Sequence, residues 1–297
     1  MRLFNSKPGS AEEAARAAES AKRIAAGQLP LSAIERLEGL EGKAFTSNLS
    51  PNELLLTLQC GFKPVGQVMG CSVYAAGLQF MSASYFGSGE LDVLTEANME
   101  CQRLAMGRLQ QEAEKLGCDG VVGVRTSRRR GVESFGMLEV KAIGTGVKRV
   151  DGSKGAAPFI SSLSGQDHWT LVQAGYKPVG VVFGACSYYQ VGNFRIRFDH
   201  VSQATGLFTG NGEMVDYSRA IAAAREAAGM RMAHAASQLG AQGVLGLDLD
   251  LSFEMPDQSG QECLLIQASA MGTAVERMGA ASPATPELLF EIGPEPN

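Results

Sequence analysis

Apolar residues step by three and four along two long stretches of the chain. Leu94, Ala97, Cys101, Leu104, Ala105, Leu109, Ala113 and Leu116 form one stripe, and Ile221, Ala224, Ala228, Met232, Ala235 and Leu239 form another. Residues so spaced share one face of an α-helix, so each stretch predicts a long helix with a single buried side. Gly117 and Gly240 follow, where a left-handed C-terminal cap is expected. Residues 65–75 and 179–190, rich in Val, Tyr and small residues, predict strands. Residues 194–199 alternate apolar and polar, so 194–201 read as a half-buried strand, with 78–86 as its less regular counterpart. A strand pair closes each half, 120–127 with 136–148 and 243–253 with 262–276. Upstream, residues 11–26 read AEEAARAAESAKRIAA, with Ser10 as N-cap and Gly27 as the stop, and a shorter helix over 31–38 follows Pro30. This arm has too little apolar surface to fold alone and is expected to pack on the body or on a neighbouring subunit.

The halves repeat each other. Gly61-Phe62-Lys63-Pro64-Val65-Gly66 recurs as Gly175-Tyr176-Lys177-Pro178-Val179-Gly180, an offset of 114. Leu116-Gly117-Cys118-Asp119-Gly120-Val121-Val122-Gly123-Val124 recurs from Leu239 to Leu247, an offset of 123. Gly144-Thr145-Gly146-Val147-Lys148-Arg149 recurs as Gly272-Thr273-Ala274-Val275-Glu276-Arg277, an offset of 128. The order is kept and the offset only grows, as in a duplication whose second copy has gained loop residues. The expected organisation is an N-terminal helical arm (1–45), a first α+β domain (46–150), a linker rich in Gly, Ser, Ala and Pro (151–166), a second α+β domain (167–278) and a proline-rich flexible tail (279–297). Each domain is an antiparallel sheet with one long helix, and the two are expected to pack as a pseudo-symmetric pair.

The helix ending in Leu116-Gly117-Cys118-Asp119-Gly120-Val121-Val122-Gly123-Val124, the hairpin after it, and Met137-Leu138-Glu139-Val140 leading to Gly144-Thr145-Gly146-Val147 resemble the YbjQ-like family, which carries a heavy-metal-binding label. The resemblance spans residues 54–149 and, with a longer segment before the helix and a longer loop at 255–261, residues 168–277. It implies small α+β domains that assemble as ring-like pentamers. With two copies per chain, the rings either stack, one per domain, or alternate the copies. The label implies a heavy-metal ion as ligand.

Composition narrows the chemistry. Net charge is −5, which disfavours nucleic acid and anionic membranes as partners. With one Trp, Trp169, stacking platforms for bases are scarce. No apolar run is long enough to span a membrane, and no secretion signal opens the chain, so the expected location is cytoplasmic. The cysteines, Cys60, Cys71, Cys101, Cys118, Cys186 and Cys263, form no C-x-x-C pair and are expected to be free. Cys101 lies on the first apolar stripe, where packing explains it.

The histidines are His168, His200 and His234, with no second His one helical turn from His234. Metal ligands, if assembled at subunit interfaces, are expected from Cys71 and Cys186, adjacent in the repeat alignment, and from His234. The competing reading of the cysteines is small residues in a buried strand. No catalytic or cofactor-binding residue is expected: there is no nucleophile elbow, no H-E-x-x-H and no phosphate loop, and Gly-Val-Val-Gly-Val closes a helix rather than opening one. Arg125, Arg128, Arg129 and Arg130 are expected at a hairpin tip, either solvated or as an anion or partner contact. The second copy carries Asp248, Asp250 and Glu254 there, so basic and acidic hairpins can pair.

The expected function is a non-enzymatic, self-assembling scaffold or binding protein, its arm and tail open to protein partners. The alternatives are a genuine heavy-metal-binding protein with interface ligands, or an enzyme with an interface site.

Overall fold

The computed structural model describes residues 11–40, 44–75, 87–130, 137–153, 155, 157–191, 213–254 and 263–278. In chain order these form α1 (Ala11–Ala25), α2 (Leu31–Glu38), α3 (Pro51–Gln59), β1 (Phe62–Ala75), β2 (Gly89–Glu90), α4 (Asp92–Lys115), β3 (Gly120–Arg130), β4 (Met137–Arg149), β5 (Phe159–Ile160), α5 (Gly165–Gln173), β6 (Tyr176–Val191), α6 (Val215–Gln238), β7 (Gly243–Glu254) and β8 (Cys263–Arg277). The expected strands at 78–86 and 194–201, the N-cap Ser10, the loop at 255–261 and the tail lie outside the described residues. Among the described residues no helix is long and apolar enough to cross a membrane.

The fold is α+β, with two four-stranded sheets in the orders β1-β4-β3-β5 and β2-β6-β8-β7. The three long strands of each sheet come from one copy. The fourth comes from the other copy's share of the chain. β5, within residues 151–166, runs parallel to β3 of the first copy, Gly120 beside Phe159. β2, from the first copy, runs antiparallel to β6 of the second. Each half thus extends the other's sheet.

Each long helix crosses its own sheet at a glycine. A Cβ on Gly70 would stand 2.0 Å from the Ala105 carbonyl oxygen of α4, and one on Gly184 would stand 2.1 Å from that of Ala228 on α6. The apolar stripes of the sequence face inward there: Leu94, Cys101, Ala105 and Leu109 are fully buried, as are Ala224 and Ala228. One apolar cluster spans both copies, with Leu91, Leu94, Cys101, Leu138 and Val140 of the first against Tyr189, Cys263 and Leu265 of the second. The duplicated halves therefore share a core.

The arm packs on the body, along α4. The Gln111 side chain donates to the Gly27 carbonyl at 2.9 Å, Lys115 pairs with Glu38 at 3.0 Å, and Arg36 pairs with the buried Glu112. Leu37 is buried.

The arginine cluster does not stand at the hairpin tip expected from the sequence. β3 runs on to Arg130, and Arg125, Arg128 and Arg129 lie opposite Ile143, Val140 and Glu139 of β4. They stand along a strand and not at a hairpin tip, because β4 starts at Met137 and keeps the pairing going. Both closing hairpins are bulged, between Val122 and Arg125 and between Leu245 and Asp248. Gly123 and Gly246 sit there with φ of +64° and +62°, a conformation that costs other residues strain.

Candidate functional site

Among the described residues, polar and aromatic side chains of both copies meet at the junction between them. On one side, residues 159–163 lie along β3. Ser161 donates its N–H to the Val121 carbonyl (2.9 Å), Val124 donates to Ser161 (3.0 Å), and Gly123 donates to Leu163 (2.8 Å). The same segment reaches the other sheet, where the Ser162 N–H donates to Thr273 Oγ1 at 2.9 Å. The Phe159 ring fills the space over Gly120, where a Cβ would meet it at 2.1 Å. It meets Phe62 edge-on at a centroid distance of 5.5 Å.

On the other side, Glu90 of β2 receives the Arg231 guanidinium at 2.7 Å and the Thr95 hydroxyl at 2.9 Å. Thr95 Oγ1 in turn accepts the Ser187 N–H, and Asn98 donates to the Ser187 hydroxyl at 3.0 Å. Burial pushes the Glu90 carboxyl up, but hydrogen bonds from Arg231 and Thr95 outweigh it and hold the group below the usual carboxylate range. Between the copies Arg128 also meets Asp250 at 2.6 Å, so a residue of the basic stretch does pair with one of the acidic stretch. A cleft of about 760 Å³ opens beside the Glu90–Arg231 pair, lined by Asp92, Glu96, Glu100, Arg103 and Phe183 among others. A second, of about 390 Å³, brings Arg125 near Glu53, Asp167 and Asp248.

His168 of α5 is buried at this junction, stacked on Phe159 with the planes 1° apart and edge-on to Phe62. Neither ring nitrogen has a hydrogen-bond partner among the described residues. Burial depresses its pKa from 6.5 to about 4, so the neutral ring is what the fold accepts. The unfolded chain then binds a proton that the folded chain refuses. The stability this group contributes is full well above pH 6.5 and falls as pH drops toward 4, by roughly 2–3 kcal/mol at pH 4.5. His168→Leu is expected to remove most of that slope, read from urea midpoints at pH 7.5 and 4.5. An unchanged slope would place the acid sensitivity elsewhere.

Within the single chain Cys71, Cys186 and His234 lie on three separate elements, β1, β6 and α6. Cys71 is exposed and Cys186 is buried. The reason is register: Gly70 lies opposite Ala142 and Gly184 opposite Ala270, so the structural counterpart of Cys71 is Ala185 and that of Cys186 is Ser72. Neighbouring positions on a strand face opposite ways. His234 is exposed on α6, its Nε2 at 3.0 Å from the Gln238 amide. Among the described residues no group of three His, Cys, Asp or Glu could hold a metal ion. Burial and the nearby Glu90 charge push the Cys186 thiol up to about 11, and burial does the same to Cys118, so both stay protonated at neutral pH. Glu90, Thr95 and Arg231, the working groups of the junction, went unnoticed in sequence because each is an ordinary residue at a helix start or on a helix surface.

Comparison with known proteins agrees with this architecture. A family model described as "putative heavy-metal-binding" (YbjQ) matches residues 63–150 and 177–278. The chain is 38% identical over 266 residues to the encapsulin nanocompartment protein Rv1762c of Mycobacterium tuberculosis, covering 88% of this chain and 96% of that one. It is 33% identical over 108 residues to a UPF0145 protein of Pseudothermotoga lettingae, covering 35% of this chain and 93% of the other, so that relative is a single copy long. A UPF0145 protein of Thermotoga petrophila matches at 33% over 94 residues, 32% of this chain and 81% of its own. The chain thus belongs to the YbjQ-like family and carries two tandem copies of its domain.

Proposed function

We propose that the protein is a non-enzymatic scaffold subunit that assembles with further copies of itself, its two domains alternating around a ring. One observation carries this reading. Among the described residues β7 is an edge strand, and it exposes Leu245, Leu247 and Phe253. A long apolar edge is a template for pairing with another chain unless something covers it. The side-by-side junction within the chain favours alternating copies over stacked rings, since it already joins one domain to the next by sheet extension. The nanocompartment name of the mycobacterial relative agrees with a role in assembly. Cys186 and Cys118 are buried within apolar clusters, which packing accounts for.

The test is native mass spectrometry of the purified protein before and after a chelator, with elemental analysis of the same sample. Multiples of the 31.3 kDa chain that are free of metal and survive the chelator are the expected result. A monomer overturns the assembly reading. A stoichiometric metal lost with the chelator moves the heavy-metal alternative ahead.

A further inference from the structure

We infer that the outer edge of β7 receives residues 45–49 of a second copy, while Glu213 of the first copy pairs with Arg108 of the second. This rests on the assembly reading above and names its surfaces. The chain already contains this interface once, between its own two domains, and carries both halves of it again at its two outer ends, where no second domain among the described residues meets them.

The receiving edge repeats first. In the internal junction β3 takes up residues 159–163, and Val122 and Val124 are 0% and 1% exposed beneath them. Their counterparts on β7, Leu245 and Leu247, are 45% and 60% exposed. The glycine bulge that accepts the added segment at Gly123 is reproduced at Gly246. Gly120 is covered by Phe159, whereas a Cβ on its counterpart Gly243 would meet nothing nearer than Val275 at 3.9 Å.

The inserting segment repeats as well. Phe159-Ile160-Ser161-Ser162-Leu163-Ser164 is matched, 114 residues earlier, by Phe45-Thr46-Ser47-Asn48-Leu49-Ser50. The earlier segment is anchored to its own domain in the same way. The Asn48 N–H donates to Thr145 Oγ1 at 3.2 Å, as that of Ser162 does to Thr273, and the Leu49 N–H donates to Ser47 as that of Leu163 does to Ser161. What differs is the aromatic residue. Phe159 sits on Gly120, while Phe45 is 48% exposed. Placed on another copy by the same rule, Phe45 covers Gly243 and meets Tyr176, the counterpart of Phe62.

The ion pair repeats in the same sense. Gly87-Ser88-Gly89-Glu90-Leu91 precedes α4 and Gly210-Asn211-Gly212-Glu213-Met214 precedes α6, an offset of 123. Glu90 is paired with Arg231, and Leu91 is buried. Glu213 and Met214 are exposed. The counterpart of Arg231 is Arg108. Both guanidinium groups donate to the strand beneath, Arg231 to the Ala185 carbonyl and Arg108 to that of Cys71. The Arg108 Nε is buried without a partner among the described residues. Every unmatched element lies where one further copy, related as the two domains are related, would supply its match. Such a head-to-tail contact is heterologous and builds a ring when its rotation closes.

The test uses the full chain with one end spoiled at a time. Phe45→Asp spoils the inserting end and Leu247→Asp the receiving edge. Both positions are solvent-exposed in the single chain, and thermal melts matching the wild type confirm folding. Each variant alone is expected to be a monomer by native mass spectrometry. Mixed one to one they are expected to form a dimer and nothing larger, because one intact end of each kind remains. Adding Glu213→Arg to the Phe45→Asp chain weakens that dimer by about tenfold or more, and Arg108→Glu in the Leu247→Asp chain restores it. Variants that keep the wild-type mass, or a mixture that stays monomeric, overturn this interface while leaving assembly standing. A monomeric wild type overturns the assembly reading itself. A dimer indifferent to Glu213→Arg removes the ion pair from the interface.

Discussion

Gly184→Ala is expected to destabilise the protein by about 3 kcal/mol or more, the upper range for forcing extra volume into a packed core. The added methyl would stand 2.1 Å from the Ala228 carbonyl oxygen and 2.7 Å from the Met232 nitrogen. Both are helix backbone atoms, so no side-chain rotation can relieve the clash and α6 must lift from the sheet. Gly70→Ala is expected to do the same to α4, with the Ala105 oxygen at 2.0 Å and the Leu109 nitrogen at 2.6 Å. Two other glycines give the opposite sign. Gly107 and Gly229 lie inside α4 and α6 with nothing within 4 Å of an added Cβ, so alanine at either is expected to stabilise by about 1 kcal/mol through helix propensity. Urea unfolding of the four variants reads the contrast directly. If Gly184→Ala unfolds with the wild type, the helix does not press on the strand and the close packing described above is wrong.

These glycines also explain how far the fold was legible. Gly70 and Gly184 fall inside the stretches that read as strands, but nothing marked them as helix crossings; the long helices were visible as apolar stripes, because burial on one face imposes a period on the sequence. The duplication was visible for the same reason: both copies solve one packing problem with matching residues. The exchange of β2 and β5 between the copies was not. A two-residue strand has no period, and residues 151–166 have the Gly, Ser and Pro content of a linker whether or not they pair. The Phe45 and Phe159 segments share a motif, yet only the fold reveals that Phe159 covers a glycine while Phe45 stands half exposed. Cys71 and Cys186 show the cost of a one-residue slip. Adjacent in alignment, they fall on opposite faces of their strands. The arginines of β3 read as a tip because charge suggests solvent; Arg128 instead finds Asp250 of the other copy.

The second large effect lies in the arm. Arg36→Ala is expected to cost about 3 kcal/mol, because removing one partner of a buried ion pair leaves the other charge without compensation. Glu112 is 2% exposed on α4, and its carboxylate is held by Arg36 of α2 and by the Met69 N–H of β1 at 2.8 Å. Without the guanidinium, one backbone donor is left to stabilise a buried charge. Glu112→Gln in the Arg36→Ala background is expected to recover most of the loss, since the neutral amide oxygen still accepts from Met69 and no charge remains to be solvated. The pair also accounts for where the arm docks. The counterpart of Glu112 in the second copy is Ala235, so only the first copy offers the arm a carboxylate, and the duplication becomes directional at this point. Deleting residues 1–40 should therefore destabilise the protein at least as much as Arg36→Ala, and Glu112→Gln should soften the deletion. Thermal melts of this four-variant set decide the matter: an additive set, with no recovery on neutralising Glu112, would mean that the arm is held by its apolar contacts and that the ion pair is incidental.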